Sequence, residues 1–186
     1  MDPTPSYCPD GRMSALVSAV GADMRRGMRD LDSMLHEYPR DARLHFLKGS
    51  LLAGEQDYAG ARVSMRQAVD LAPDYHVARF QLGFLLLTSG EPHAAQEAWG
   101  PLHSLPADSY LHIFVQGLCH LIKDDFTETV KLLQDGIARN KENPAMNRDM
   151  QMIIDEVRNK PDSSARDTPV SSVDFLLQQA AFKPKR

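Results

Sequence analysis

The chain has 186 residues, 21 Lys and Arg against 25 Asp and Glu, a net charge of -4, and 42% apolar residues. That length suits one domain or a short repeat array with tails, and the apolar share is enough for a packed core. The mild negative charge without a basic stripe argues against nucleic acid, and no apolar run approaches the ~20 residues that membrane insertion needs.

The opening Met1-Asp2-Pro3-Thr4-Pro5 lacks the basic-then-apolar order of a secretion signal. Two cysteines, Cys8 and Cys119, form neither a disulfide framework nor a metal cluster. A soluble, cytoplasmic, reducing setting is the expectation. Cys119 lies in the apolar run Leu118-Cys119-His120-Leu121-Ile122 and reads as a buried structural thiol.

In chain order, residues 1–11, with Pro3, Pro5, Pro9 and Gly11, read as a flexible lead-in. Met13, Leu16, Val17 and Val20 mark a short amphipathic helix, broken at Gly21-Ala22-Asp23. A second helix runs from Met24 to Tyr38, with Met28, Leu31, Met34 and Leu35 on one face and Pro39 as its stop. Leu44, Leu47, Leu51 and Leu52 mark a helix ending near Gly54. Asp57-Tyr58 opens its partner, which carries Ala61, Met65, Ala68, Val69 and Leu71 before Pro73. The helix from Val77 to Gly90 carries Phe80, Leu82, Phe84, Leu85 and Leu86. The next is expected from Pro92 to Leu105, with Ala95, Ala98, Trp99 and Leu102. The third unit has Leu111, Ile113, Phe114, Leu118 and Leu121, then Asp125-Phe126, then Val130, Leu132, Leu133 and Ile137.

Glycine recurs at Gly49, Gly83 and Gly117, and phenylalanine at Phe46, Phe80 and Phe114, always 34 residues apart. Two residue types in phase at one spacing imply a copied structural unit. Joined with Tyr58/Pro92/Phe126, Ala61/Ala95/Thr129 and Met65/Trp99/Leu133, the pattern resembles the tetratricopeptide repeat. The resemblance implies an all-α fold: an α-solenoid of helix-turn-helix repeats at 42–75, 76–109 and 110–143, with a degenerate repeat at 12–41. Gly49, Ala61, Ala68 and Pro73 fill the family's small-residue and proline places. After them Met146, Met150, Ile153, Ile154 and Val157 give a capping helix over 144–159. Residues 160–172 have linker composition, and 173–186 read as a tethered amphipathic segment with Val173, Phe175, Leu176, Leu177 and Phe182.

No residue set points to catalysis. The seven histidines show no metal-ligand spacing, the glycines keep repeat spacing rather than forming a phosphate loop, and no cofactor or metal is implied. The resemblance implies instead a concave groove lined by the first helix of each repeat. Its register places there Arg43, Phe46, Ser50 and Ala53, then Val77, Phe80, Phe84 and Leu87, then Leu111, Phe114, Leu118 and Leu121. Lysine and asparagine, which relatives that clamp terminal carboxylates use, are replaced by Phe46 and Ser50. Two readings of the phenylalanines stay open: packing between repeats, or lining a face that binds an apolar peptide or helix. The second predicts a non-catalytic adaptor, assembly factor or chaperone-like module for protein binding, whose groove the chain's own tail segment also fits. Its alternative is an oligomerisation module in which that segment swaps between subunits to form a homo-oligomer.

Overall fold

The computed structural model describes residues 7–159, which fall in nine α-helices with no strand among the described residues. These are α1 (Asp10–Ala22), α2 (Met24–Glu37), α3 (Ala42–Gly54), α4 (Tyr58–Leu71), α5 (His76–Thr88), α6 (Pro92–Trp99), α7 (Tyr110–Ile122), α8 (Phe126–Arg139) and α9 (Pro144–Asn159). The expected linker at 160–172 and the tail segment with Val173, Phe175, Leu176, Leu177 and Phe182 lie outside the described residues. The chain divides into two compact units, split between Leu82 and Gly83 within α5.

Repetition is visible in the turns as well as in the packing. Gln56, Gly90 and Asp124 adopt positive φ angles of 67°, 81° and 58°, and they stand 34 residues apart. At each, the left-handed residue closes the preceding helix. The N–H groups of Gln56, Gly90 and Asp124 donate to the carbonyls of Ala53, Leu87 and Leu121, and those of Asp57, Glu91 and Asp125 donate to Leu52, Leu86 and His120. This pair of bonds is the Schellman ending, which satisfies carbonyls that the helix itself leaves unpaired. The residue after each turn is acidic, and Asp57 and Asp125 cap the next helix by accepting from the N–H groups of Gly60 and Glu128. Asp23 caps α2 in the same way through Arg26, one period before Asp57.

Small residues set how closely paired helices approach. A Cβ on Gly27 would meet Val20 Cα at 2.6 Å, one on Gly49 would meet Met65 Cγ at 2.6 Å, and one on Gly117 would meet Leu133 Cδ2 at 2.9 Å. Trp99 stacks so closely over Gly83 that the indole occupies the place of a side chain. In unit 1, Leu16, Leu31, Met34, Tyr38, Leu44 and Leu51 form one cluster, edged by Met13, Val20, Met28, Leu35 and Leu47. In unit 2, Trp99, Phe114, Leu118, Leu121, Leu133, Met146, Met150 and Ile154 are enclosed. There α8 joins α9 through Asn140, whose side chain accepts from the N–H groups of Glu142 and Asn143 and donates to Asn143 O and Asn147 Oδ1.

Three local expectations are corrected. The chain is tied down from Cys8 rather than loose to residue 11, because the Cys8 N–H donates 2.8 Å to buried Asp41. Cys8 is the buried thiol, whereas Cys119 is half-buried. The helix expected from Pro92 to Leu105 gives way after Trp99 to a 3-10 turn at Gly100–Ser104, since Pro101 has no N–H to continue the α-helical ladder.

Candidate functional site

Unit 1 places Arg43, Phe46, Ser50 and Val77 at half-buried positions on α3 and α5. Phe46 meets Tyr75 edge to face, with ring centroids 5.2 Å apart and planes at 63°, the geometry that ring quadrupoles favour. Burial pushes the Tyr75 phenol above its ordinary pKa. Ser50 turns its hydroxyl back to donate 3.0 Å to Phe46 O, so that donor is used within the helix. Arg43 is committed too. Its Nε and Nη2 donate to Asp41, Nη2 to Cys8 O and Nη1 to Asp10. Those bonds hold its charge and make it a strut rather than a vacant ligand for an incoming anion.

Ala53, also in unit 1, is half-buried, whereas Phe80 has no exposed surface. In unit 2, Phe84 is half-buried on α5, while Leu87 and Leu111 are buried and Phe114, Leu118 and Leu121 are fully enclosed. Phe114 packs edge to face with Tyr110 at 5.9 Å, and its ring lies where a side chain on Gly136 of α8 would be. It therefore serves the same task as the glycines, close packing of a helix pair. Of the residues assigned to the groove, Phe80, Leu87, Leu111, Phe114, Leu118 and Leu121 are interior positions in this structure. The physical reason is that both helices bury most of their circumference: α7 includes Ile113 and Val115 as well, and α5 includes Ala78, Leu82, Leu85 and Leu86. The only fully exposed residue of α7 is Gln116, and Tyr110, His112, Cys119, His120 and Ile122 are half-buried. No spacing rule separates these positions from their buried neighbours, because only the packing of adjoining elements determines which sides of an apolar helix are covered.

The polar groups beside these faces take part in capping and packing. His120 Nδ1 lies 2.9 Å from Asp125 Oδ2, and that hydrogen bond lowers the Asp125 pKa. Asp125 also caps α8, so the pair joins a turn to a helix start. His103 and His112 rings stand edge to face at 6.2 Å. Burial raises the Cys119 thiol pKa and keeps it protonated. Among the described residues no three His, Cys, Asp or Glu side chains gather as metal ligands. No described helix is long and apolar enough to cross a membrane.

Helix pairs with small residues at their crossing, left-handed turns in phase and an amphipathic last described helix define a tetratricopeptide-like helical repeat fold. Among solved structures, the fold matches the crystal structure of PilW, a widely conserved type IV pilus biogenesis factor, with a TM-score of 0.60 and 16% sequence identity. The match covers 78% of this chain and 70% of that one. No protein-family model matches the sequence. No curated protein matches it either. At that identity the likeness establishes the fold.

Proposed function

We propose that the protein is a non-catalytic protein-interaction module, an adaptor or assembly factor, that takes an apolar peptide or helix against the first helices of its repeats. The observation that carries this reading is that Phe46 and Phe84 keep part of their surface open on α3 and α5, whereas Phe80 and Phe114 are enclosed. A half-open aromatic side chain on a rigid helix supplies large contact area at small entropic cost, which is how interface anchors work. Val77 of α5 is likewise half-buried in unit 1. The likeness to a pilus biogenesis factor supports an assembly role over an enzymatic one. The tail segment Val173–Phe182 is the proposed resident occupant, displaced when an external segment binds.

The test is a labelled peptide of residues 173–182 titrated by fluorescence anisotropy against the chain ending at Lys160. Saturable binding is expected, weakened at least about tenfold by Phe84→Asp or Phe46→Asp, the loss of one hot-spot anchor. Absence of binding removes the tail as occupant. Binding that neither substitution alters removes these faces as the site. Light scattering of the full chain across concentration addresses subunit swapping, which requires the mass to grow.

A further inference from the structure

The helices at the two ends of the described chain are held in different ways. In unit 2, α9 buries Met146, Met150, Ile153, Ile154 and Val157. In unit 1, α1 buries Leu16 alone, with Met13 and Val20 half-buried beside it. Apolar burial is the main favourable term in docking a helix, so α1 has much less of it to draw on.

Charge makes up the difference, and it is all at one end. The Cys8 N–H donates 2.8 Å to Asp41 Oδ2. Arg43 Nη2 donates 2.6 Å to Cys8 O, and Nη1 donates 2.7 Å to Asp10 Oδ1. Arg12 forks onto the Glu37 carboxylate at 2.7 and 2.8 Å, donates to Tyr38 Oη at 2.8 Å, and lies 5.3 Å over that ring. Asp41 at the centre is 0% exposed, while the Asp10 side chain is 93% exposed. Each of these bonds joins a residue within 8–12 to α2, to α3 or to the turn between them. From Met13 to Ala22 the chain carries no charged side chain, and its one side-chain hydrogen bond, from Ser18 to Ser14 O, stays inside α1.

We propose that α1 is a latched cover. It undocks as one body when the bonds at residues 8–12 release, opening the apolar cluster it shares with Leu31, Met34 and Leu44 while α3 and α4 stay folded. This differs from fraying, in which the outermost residues are the least protected. Here Cys8, the outermost anchored residue among those described, holds a buried bond to Asp41, so its amide and thiol become accessible together with the rest of α1.

Hydrogen exchange of the full chain and alkylation of Cys8, both read by mass spectrometry, test the latch. In the unaltered chain, amides of Ser14–Ala22 should exchange faster than those of α4. Asp41→Asn should speed both α1 exchange and Cys8 alkylation about ten- to a hundredfold, the range for losing a charge-assisted hydrogen bond, with α4 and α9 unchanged. Arg12→Gln, which removes a solvent-exposed ion pair, should speed both a few-fold, and it decides the matter by the same readouts if Asp41→Asn unfolds the chain. Exchange of α1 in step with α4 in every form overturns the proposal. So does Cys8 alkylation that stays constant while α1 exchange changes.

Discussion

Alanine in place of Gly83 should cost the protein about 2 kcal/mol, although alanine is the better helix former by about 1 kcal/mol. A Cβ at Gly83 overlaps Trp99 Nε1 and lies 2.5 Å from both Cδ1 and Cε2. Trp99 is fully buried, and its indole is rigid, so relief requires α5 and α6 to move apart. Overpacking of that kind costs about 1–3 kcal/mol, and direct overlap with a ring places it at the upper end before the propensity gain is subtracted. The same repeat position offers two internal comparisons. At Gly49 the nearest atom is Met65 Cγ at 2.6 Å, the flexible stem of a side chain, with Ala61 O and Met65 N at 3.1 Å. At Gly117 it is Leu133 Cδ2 at 2.9 Å, a methyl that a small χ2 change moves away. The expected order of loss is therefore Gly83, then Gly49, then Gly117, with Gly117→Ala within about 1 kcal/mol of neutral. Urea unfolding followed by far-UV circular dichroism measures this, provided the slope with denaturant stays constant across the series. Trp99→Leu combined with Gly83→Ala should lose less than the sum of the two single losses, since both act on one contact. A Gly83→Ala protein as stable as its parent, or a reversed order, would refute the reasoning.

Interior and surface phenylalanines should separate in the same assay. Phe114→Ala should lose about 3–5 kcal/mol and Phe46→Ala about 1 kcal/mol. Equal losses would mean that Phe114 is not a core residue. Gln56→Gly relieves a left-handed backbone and should raise stability by up to about 1 kcal/mol, with a smaller gain for Asp124→Gly because aspartate tolerates that conformation. A loss at both would contradict the turn geometry. Acid acts through two opposed groups. Burial pushes the Asp41 carboxyl up, but hydrogen bonds from Arg43 and Cys8 outweigh it and hold the pKa below the ordinary value. The Arg12 bond lowers that of Glu37 as well. Their stabilisation is present above the unfolded carboxylate pKa and is lost as pH falls through the folded values. Asp149 has the reverse sign, since burial raises its pKa and its charge is disfavoured at neutral pH. Asp149→Asn should therefore leave neutral stability unchanged or raise it by some tenths of a kcal/mol, whereas Asp41→Asn should lower it and flatten the acid dependence. Urea unfolding at a series of pH values reads both, and a large loss with Asp149→Asn would sink the assignment.

Much of the architecture was legible in the residues alone, because periodicity is a local property. Gly49, Gly83 and Gly117 repeat at 34 residues since each permits one helix crossing, and the helices fall where 3.6-residue patterns and Pro39 or Pro73 place them. A second beat of the same length runs beside the glycines. Asp23, Asp57, Glu91 and Asp125 stand before the second helix of each pair, and three of them cap it. Only the tertiary structure decided which apolar positions were interior. Phe46 and Phe114 occupy the same place in the repeat, yet one is half-open against Tyr75 and the other is sealed beside Gly136. The cause lies outside the helix that carries each of them, in what the neighbouring elements happen to cover. The latch on α1 was hidden for the same reason. Cys8 and Asp41 are 33 residues apart in sequence, and no local pattern announces that a buried carboxylate will accept the amide of a residue in a proline-rich leader. Sequence periodicity specified the repeating unit, while non-local packing determined which of its faces are closed and what holds its first helix in place.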